Sequence, residues 1–108
     1  MIVVWTPVCR FTDLLAERGV AALVGDAQVA VFRLHDDGLR AIGNRDPVSG
    51  AHVLSRGVVG TRGDRPVVAS PMHKQAYDLD TGECLDADAR VPVFPIRVRG
   101  GVVEVGTA

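Results

Sequence analysis

The chain has 108 residues, 47% of them hydrophobic and 23% charged, with a formal net charge of -1. That length suits one domain, expected over residues 1–108. The near balance of charge gives no electrostatic case for nucleic acid. No window approaches the ~18 apolar residues of a membrane span. Such a domain buries about 60–70% of the surface its unfolded chain exposes. That leaves room for one core, and none for an enclosed flavin or haem. Arg10 follows soon after Met1, and the apolar run before it is short and holds Trp5 and Pro7, so no targeting segment is read and the cytoplasm is expected.

Ile2-Val3-Val4-Trp5 is β-branched and aromatic and predicts a strand, ended by Pro7. Residues 11–19 carry helix punctuation, with Thr12 as a cap, Asp13 and Glu17 early, Arg18 late and Gly19 just past the end. One or two turns are expected there. Strands follow at 20–24 and 28–34 across a Gly25-Asp26 turn, and another at 39–42 after His35-Asp36-Asp37-Gly38. A short strand is expected at 52–54, a pairing segment at Val58-Val59, and a polar hairpin tip over 61–65. A buried strand is expected at 67–69, breaking at Ser70-Pro71, and a short one at 76–79, ending in Asp80-Thr81-Gly82. A hairpin of 94–99 and 102–105 about Gly100-Gly101 ends the reading. Strands and turns that alternate this often argue an antiparallel all-β domain.

Cys9 and Cys84 are far apart and lack a C-x-x-C or nearby His, so they read as small, partly buried thiols. Asp78, Asp80, Glu83, Asp86 and Asp88 read as a solvated acidic edge. His35 is placed in a turn and His52 on the polar face of a strand. Two loops stand out. One is N-R-D-P-V-S-G-A from Asn44, and the other S-P-M-H-K-Q from Ser70, leading into A-Y-D-L-D-T-G. Asn44 and Asp46 suit turns, where their side chains bond nearby backbone N–H groups.

This pair of loops resembles the Rieske iron–sulfur domain, and the likeness covers almost the whole chain. That family holds a [2Fe-2S] cluster with Cys-x-His in one loop and Cys-x-x-His in the other, the second commonly written C-P-W-H-G before a strand of F-D-L-x-T-G type. The ligand positions fall here on Asn44, Asp46, Ser70 and His73, so both cysteines and one histidine are replaced. Without soft thiolates the cluster has no adequate ligands. The subgroup with this substitution is similar to the small subunit of assimilatory NAD(P)H-dependent nitrite reductase. Its signatures stand here as N-R-D-P-V-S-G-A-H-V-L-S-R-G-V-V-G and V-A-S-P-M-H-K-Q-A-Y-D-L-x-T-G-x-C-L-D.

The resemblance implies a Rieske-like sandwich of small antiparallel sheets with one short helical turn. It implies a non-catalytic subunit that binds no cofactor or metal and supports reduction of nitrite to ammonia. FAD, sirohaem and a [4Fe-4S] cluster are then expected on a large subunit, the partner. Arg45, Arg56, His73, Lys74 and Gln75 are the candidate partner-binding residues, as a polar, partly basic rim around the loop tips. The alternatives are a Rieske ferredoxin, which the missing ligands oppose, and a stand-alone interaction domain for another redox partner. A hydrolase using Ser70, His73 and Asp46 lacks a nucleophile elbow. A mononuclear metal at Asp46 and His73 lacks a third ligand.

Overall fold

A computed structural model describes residues 2–107. As expected, the chain is all-β, built of nine strands among the described residues: β1 (Val4–Arg10), β2 (Arg18–Val24), β3 (Ala27–Arg33), β4 (Leu39–Gly43), β5 (Val58–Arg62), β6 (Arg65–Ala69), β7 (Ala76–Asp78), β8 (Ile96–Arg99) and β9 (Val102–Thr107). They form three antiparallel three-stranded sheets, ordered β1-β9-β8, β2-β3-β4 and β5-β6-β7.

The middle sheet explains the sequence of β3. Val29-Ala30-Val31-Phe32 is buried throughout rather than alternating in and out. Successive side chains point to opposite faces of a sheet, so both faces must be covered. Val29 and Val31 join Val24, Ala41, Val103 and Val105 in one cluster. Ala30 and Phe32 join Ile42, Val68, Tyr77 and Leu79 in the other. The chain therefore has a core on each side of the β2-β3-β4 sheet, where composition had suggested one. The segment 92–94, which leads into β8, is stitched to β4 of the middle sheet: Phe94 N–H donates to the Ala41 carbonyl and Gly43 N–H to that of Pro92, each at 2.9 Å.

Several local expectations are corrected. Pro7 does not end the first strand. It lies inside β1, on the edge of its sheet, next to a register shift between Pro7 and Cys9. An edge strand and a bulge are where a missing N–H is tolerated. The helical stretch over 11–18 shrinks to a 3-10 turn at Phe11–Asp13. Gly19 is a strand residue rather than a helix end. A Cβ there would sit 2.5 Å from the Phe32 ring and 2.7 Å from the Ser55 carbonyl oxygen, so close approach is its requirement. His52 makes only an isolated bridge to Arg45, and residues 54–56 form a second 3-10 turn in place of a strand. Leu54, at its start, is fully buried under the middle sheet.

The acidic run is also more than a solvated edge. Asp78 is buried and accepts from the Asp80 N–H at 2.8 Å and from Arg65 at 3.5 Å. Asp86 takes two bonds from Arg62 and one from the Ala76 N–H. Asp80 pairs with Arg40, and Glu83 with Arg90.

Candidate functional site

The site lies where two loops leave the sheets, and both have the same frame. In residues 46–51, Asp46 N–H donates to the Ala51 carbonyl and Gly50 N–H returns to the Asp46 carbonyl, at 2.8 and 2.7 Å. In residues 70–75, Ser70 N–H donates to Gln75 and Lys74 N–H to Ser70, both at 2.9 Å. A side-chain oxygen of the first residue accepts the N–H of the third: Asp46 from Val48 at 2.9 Å, Ser70 from Met72 at 3.2 Å. These are the turn-forming bonds expected of Asp and Ser. Pro47 and Pro71 occupy the second position, whose N–H no bond of the frame uses. Residues 78–83 repeat the frame, with Asp78 to Glu83 and Gly82 to Asp78 both at 2.8 Å.

The first side chains of the two site loops point inward and meet. Ser70 Oγ donates to Asp46 Oδ2 at 2.6 Å. Gln75 Nε2 donates to both carboxylate oxygens, at 2.9 and 3.0 Å, and the Tyr77 hydroxyl donates to Oδ1 at 2.9 Å. With Val48 N–H added, the buried carboxylate is saturated with donors. Burial acts to raise the Asp46 pKa, but the bonds from Ser70, Val48, Tyr77 and Ser49 outweigh it and hold it at about 2. Burial, together with the neighbouring carboxylate, pushes the Tyr77 hydroxyl up to about 12, against an opposing bond from Gln75. At neutral pH this is an ionised acceptor inside a ring of neutral donors.

Asn44 serves the same first loop from its other end. It is buried, accepts the Ser55 N–H at 2.8 Å and donates to the His52 carbonyl at 3.3 Å. Gln75, expected on the rim, is only 7% exposed. Its amide must turn nitrogen toward Asp46, since an oxygen there would face an anion. Its Oε1 is thereby left buried without a partner among the described residues.

The remaining candidates are exposed. His73 and Lys74 line a cleft of about 440 Å³ with Val48, Arg62 and Asp86. Arg45 lies in a separate depression with His52 and Arg90, and Arg56 in a groove beside residues 16–19. Arg45, Arg56 and Lys74 make no ion pair among the described residues, whereas six other arginines do.

The chemistry this set can perform is limited. Ser70 donates straight to Asp46, and no hydrogen bond joins His73 to either among the described residues, so the Ser-His-Asp relay of a hydrolase is not formed. The [2Fe-2S] cluster of a Rieske domain does not fit this donor set. The side chains at positions 46 and 70 touch where a cluster would have to separate them. The lone pairs of Asp46 are committed to hydrogen bonds, and Cys9 and Cys84 lie outside both loops. Among the described residues no three His, Cys, Asp or Glu side chains converge as a metal site. Tyr77 and Ser49 were missed in the sequence. Tyr77 had a signal: it is the chain's one tyrosine, in the short strand that directly follows the second loop.

The family model for the Rieske-like [2Fe-2S] domain matches residues 4–106. The NADH nitrite reductase small subunit of Escherichia coli K12 is 43% identical over 103 residues, which is 94% of this chain and 95% of that one. A crystal structure described as an NADH-dependent nitrite reductase small subunit from Mycobacterium tuberculosis has a TM-score of 0.96 and 50% identity, covering 100% of this chain and 98% of the other. The NAD(P)H nitrite reductase large subunit of Klebsiella oxytoca contains a matching segment, 37% identical, covering 94% of this chain but 11% of that protein.

Proposed function

Since the chain belongs to the Rieske-like [2Fe-2S] domain family, we propose that it is the small subunit of an NAD(P)H-dependent nitrite reductase and works by binding the large subunit. The observation that carries this reading is similarity along nearly the whole length of both proteins to the E. coli and M. tuberculosis small subunits. The Klebsiella large subunit supports the partnership, because it holds a matching domain in the same polypeptide. Two modules that act together are found there as one chain.

In this reading the chain, residues 1–108 as one domain, takes part in nitrite reduction to ammonia and performs no catalysis alone. FAD, sirohaem and the [4Fe-4S] centre belong to the large subunit, in the cytoplasm. Among the described residues no helix is long and apolar enough to cross a membrane. Asn44, Asp46 and Ser70 hold the two loops in shape by hydrogen bonds, in place of iron. His73, with Lys74, Arg45 and Arg56, supplies exposed groups for docking. A loop carrying function on a rigid β scaffold is a common division of labour.

The test is reconstitution. Large subunit purified alone and with this chain is compared for NAD(P)H-dependent nitrite reduction and for co-elution. Co-elution with higher turnover or longer-lived activity is expected. A large subunit fully active alone, with no complex formed, would remove the role.

A further inference from the structure

The repeated loop frame provides an internal control. In residues 46–51 and 78–83 the hydroxyl of the fourth residue, Ser49 or Thr81, accepts the N–H of the sixth at 3.2 Å. The fifth residue is glycine in a left-handed conformation, φ 80° at both Gly50 and Gly82. In residues 70–75 those two places hold His73 and Lys74. Histidine makes no such bond to the Gln75 N–H, and Lys74 takes the left-handed conformation at φ 61° despite its Cβ. That conformation is costly for residues other than glycine. A Cβ at Gly50 would meet nothing nearer than 3.7 Å, so glycine there answers to backbone conformation rather than space. One of three equivalent loops therefore forgoes both stabilising features at adjacent positions. Both of its replacements are exposed and basic in type.

Their surroundings indicate a use. Lys74 has no carboxylate partner among the described residues, and the one acid in its cleft, Asp86, is held by two bonds from Arg62. The third residues of the two site loops, Val48 and Met72, are 48% and 52% exposed. Exposed apolar side chains on loops fixed from below by Asp46, with the unpaired Lys74 beside them, offer the apolar centre and charged rim of a docking surface. We propose that His73-Lys74 is a recognition element, kept at the expense of stability, that binds an acidic, carboxylate-bearing face of the large subunit. This rests on the small-subunit reading above.

The test measures stability and affinity on the same variants. Lys74→Gly relieves the backbone and removes the charge. Lys74→Gln removes only the charge, and Lys74→Arg neither. The folding constant of Lys74→Gly is expected to rise about three- to ten-fold, strain relief being partly offset by the freedom of glycine in the unfolded chain. Its affinity for the large subunit should fall about ten-fold at low salt, with the difference fading at high ionic strength. Lys74→Gln should lose the same affinity at unchanged stability, and Lys74→Arg should retain both. His73→Ser combined with Lys74→Gly rebuilds the loop of residues 46–51 and should be more stable still. Undiminished affinity in Lys74→Gly and Lys74→Gln would overturn the inference while leaving the small-subunit reading intact, and so would a Lys74→Gly no more stable than the parent. Failure of the parent chain to bind the large subunit at all would overturn both.

Discussion

Replacing Asp46 with Asn keeps its size and removes its charge. The variant keeps one oxygen for the Val48 N–H and Tyr77 hydroxyl. It sets an amide nitrogen against Gln75 Nε2, a donor facing a donor, and displaces the Ser70 hydroxyl bond. Losing charge-assisted bonds in a buried place costs about 3 kcal/mol at neutral pH. The pH dependence follows from the same carboxyl. It titrates at about 2 in the fold and near 3.8 when free. A depressed pKa stabilises the fold fully above the unfolded value and loses that contribution as pH falls through the folded one. The part at stake is about 2–3 kcal/mol, at 1.36 kcal/mol per pKa unit. The assay is urea unfolding of both proteins at pH 7, 4, 3 and 2, followed by Trp5 fluorescence and circular dichroism. Asp36 and Asp86 are also lowered, by the Gly38 backbone bond and by Arg62 respectively, but they are common to both proteins and cancel in the difference. The gap is expected to narrow from about 3 kcal/mol at pH 7 to under about 1 kcal/mol at pH 2. A gap that stays constant across that range would refute the buried, ionised hub.

Further expectations concern the same two loops and the core beneath them. Tyr77 is the only tyrosine, so near-ultraviolet absorbance titration reads it alone. It should ionise near pH 12, and a midpoint at the ordinary ~10 would place its hydroxyl in solvent. Tyr77→Phe should lower stability by about 1–2 kcal/mol, read from the urea midpoint. Gly82→Ala adds a Cβ that overlaps the Val91 carbonyl oxygen at φ 80°. It should cost more than about 3 kcal/mol, measured as loss of folded protein by circular dichroism. Phe32→Ala, in the core shared with Tyr77 and Leu54, should cost about 3–5 kcal/mol by thermal or urea unfolding. Protein prepared without oxygen should be colourless and free of iron. A red-brown sample with about two irons per chain, the [2Fe-2S] content, would mean that the loops rearrange to find thiolates.

The sequence made the sheets and the loops legible where chemistry is local. Turn pairs such as Gly25-Asp26 and Gly100-Gly101 sit between strands as their composition suggests. The S-P-M-H-K-Q and N-R-D-P-V-S-G-A runs mark the site by their composition alone. Two kinds of information were hidden. Residues 11–18 carry helix punctuation, yet tertiary contacts decide: Leu14 is buried in a core and Gly19 must pass Phe32, so the chain turns into a strand instead. The contact of Asp46 with Ser70, Gln75 and Tyr77 spans 24 to 31 residues, and no local pattern states such a distance. Gln75 misled for that reason. Its polar neighbours in sequence, His73 and Lys74, face solvent, while its own amide turns inward to a carboxylate from another loop.

The pairing of β1 with β9 joins Val4 to Thr107 and Arg10 to Val102. The middle and third sheets are made of strands consecutive in sequence, so their hairpins can form as the nascent chain leaves the ribosome. The first sheet cannot, because β1 has to wait until β9 has been synthesised. Meanwhile Val4, Trp5 and Val8 stay unpaired on the growing polypeptide. Non-local pairing of this kind is slow and leaves apolar strand exposed. Pairing of β1 with β9 is thus the late step that closes the first sheet.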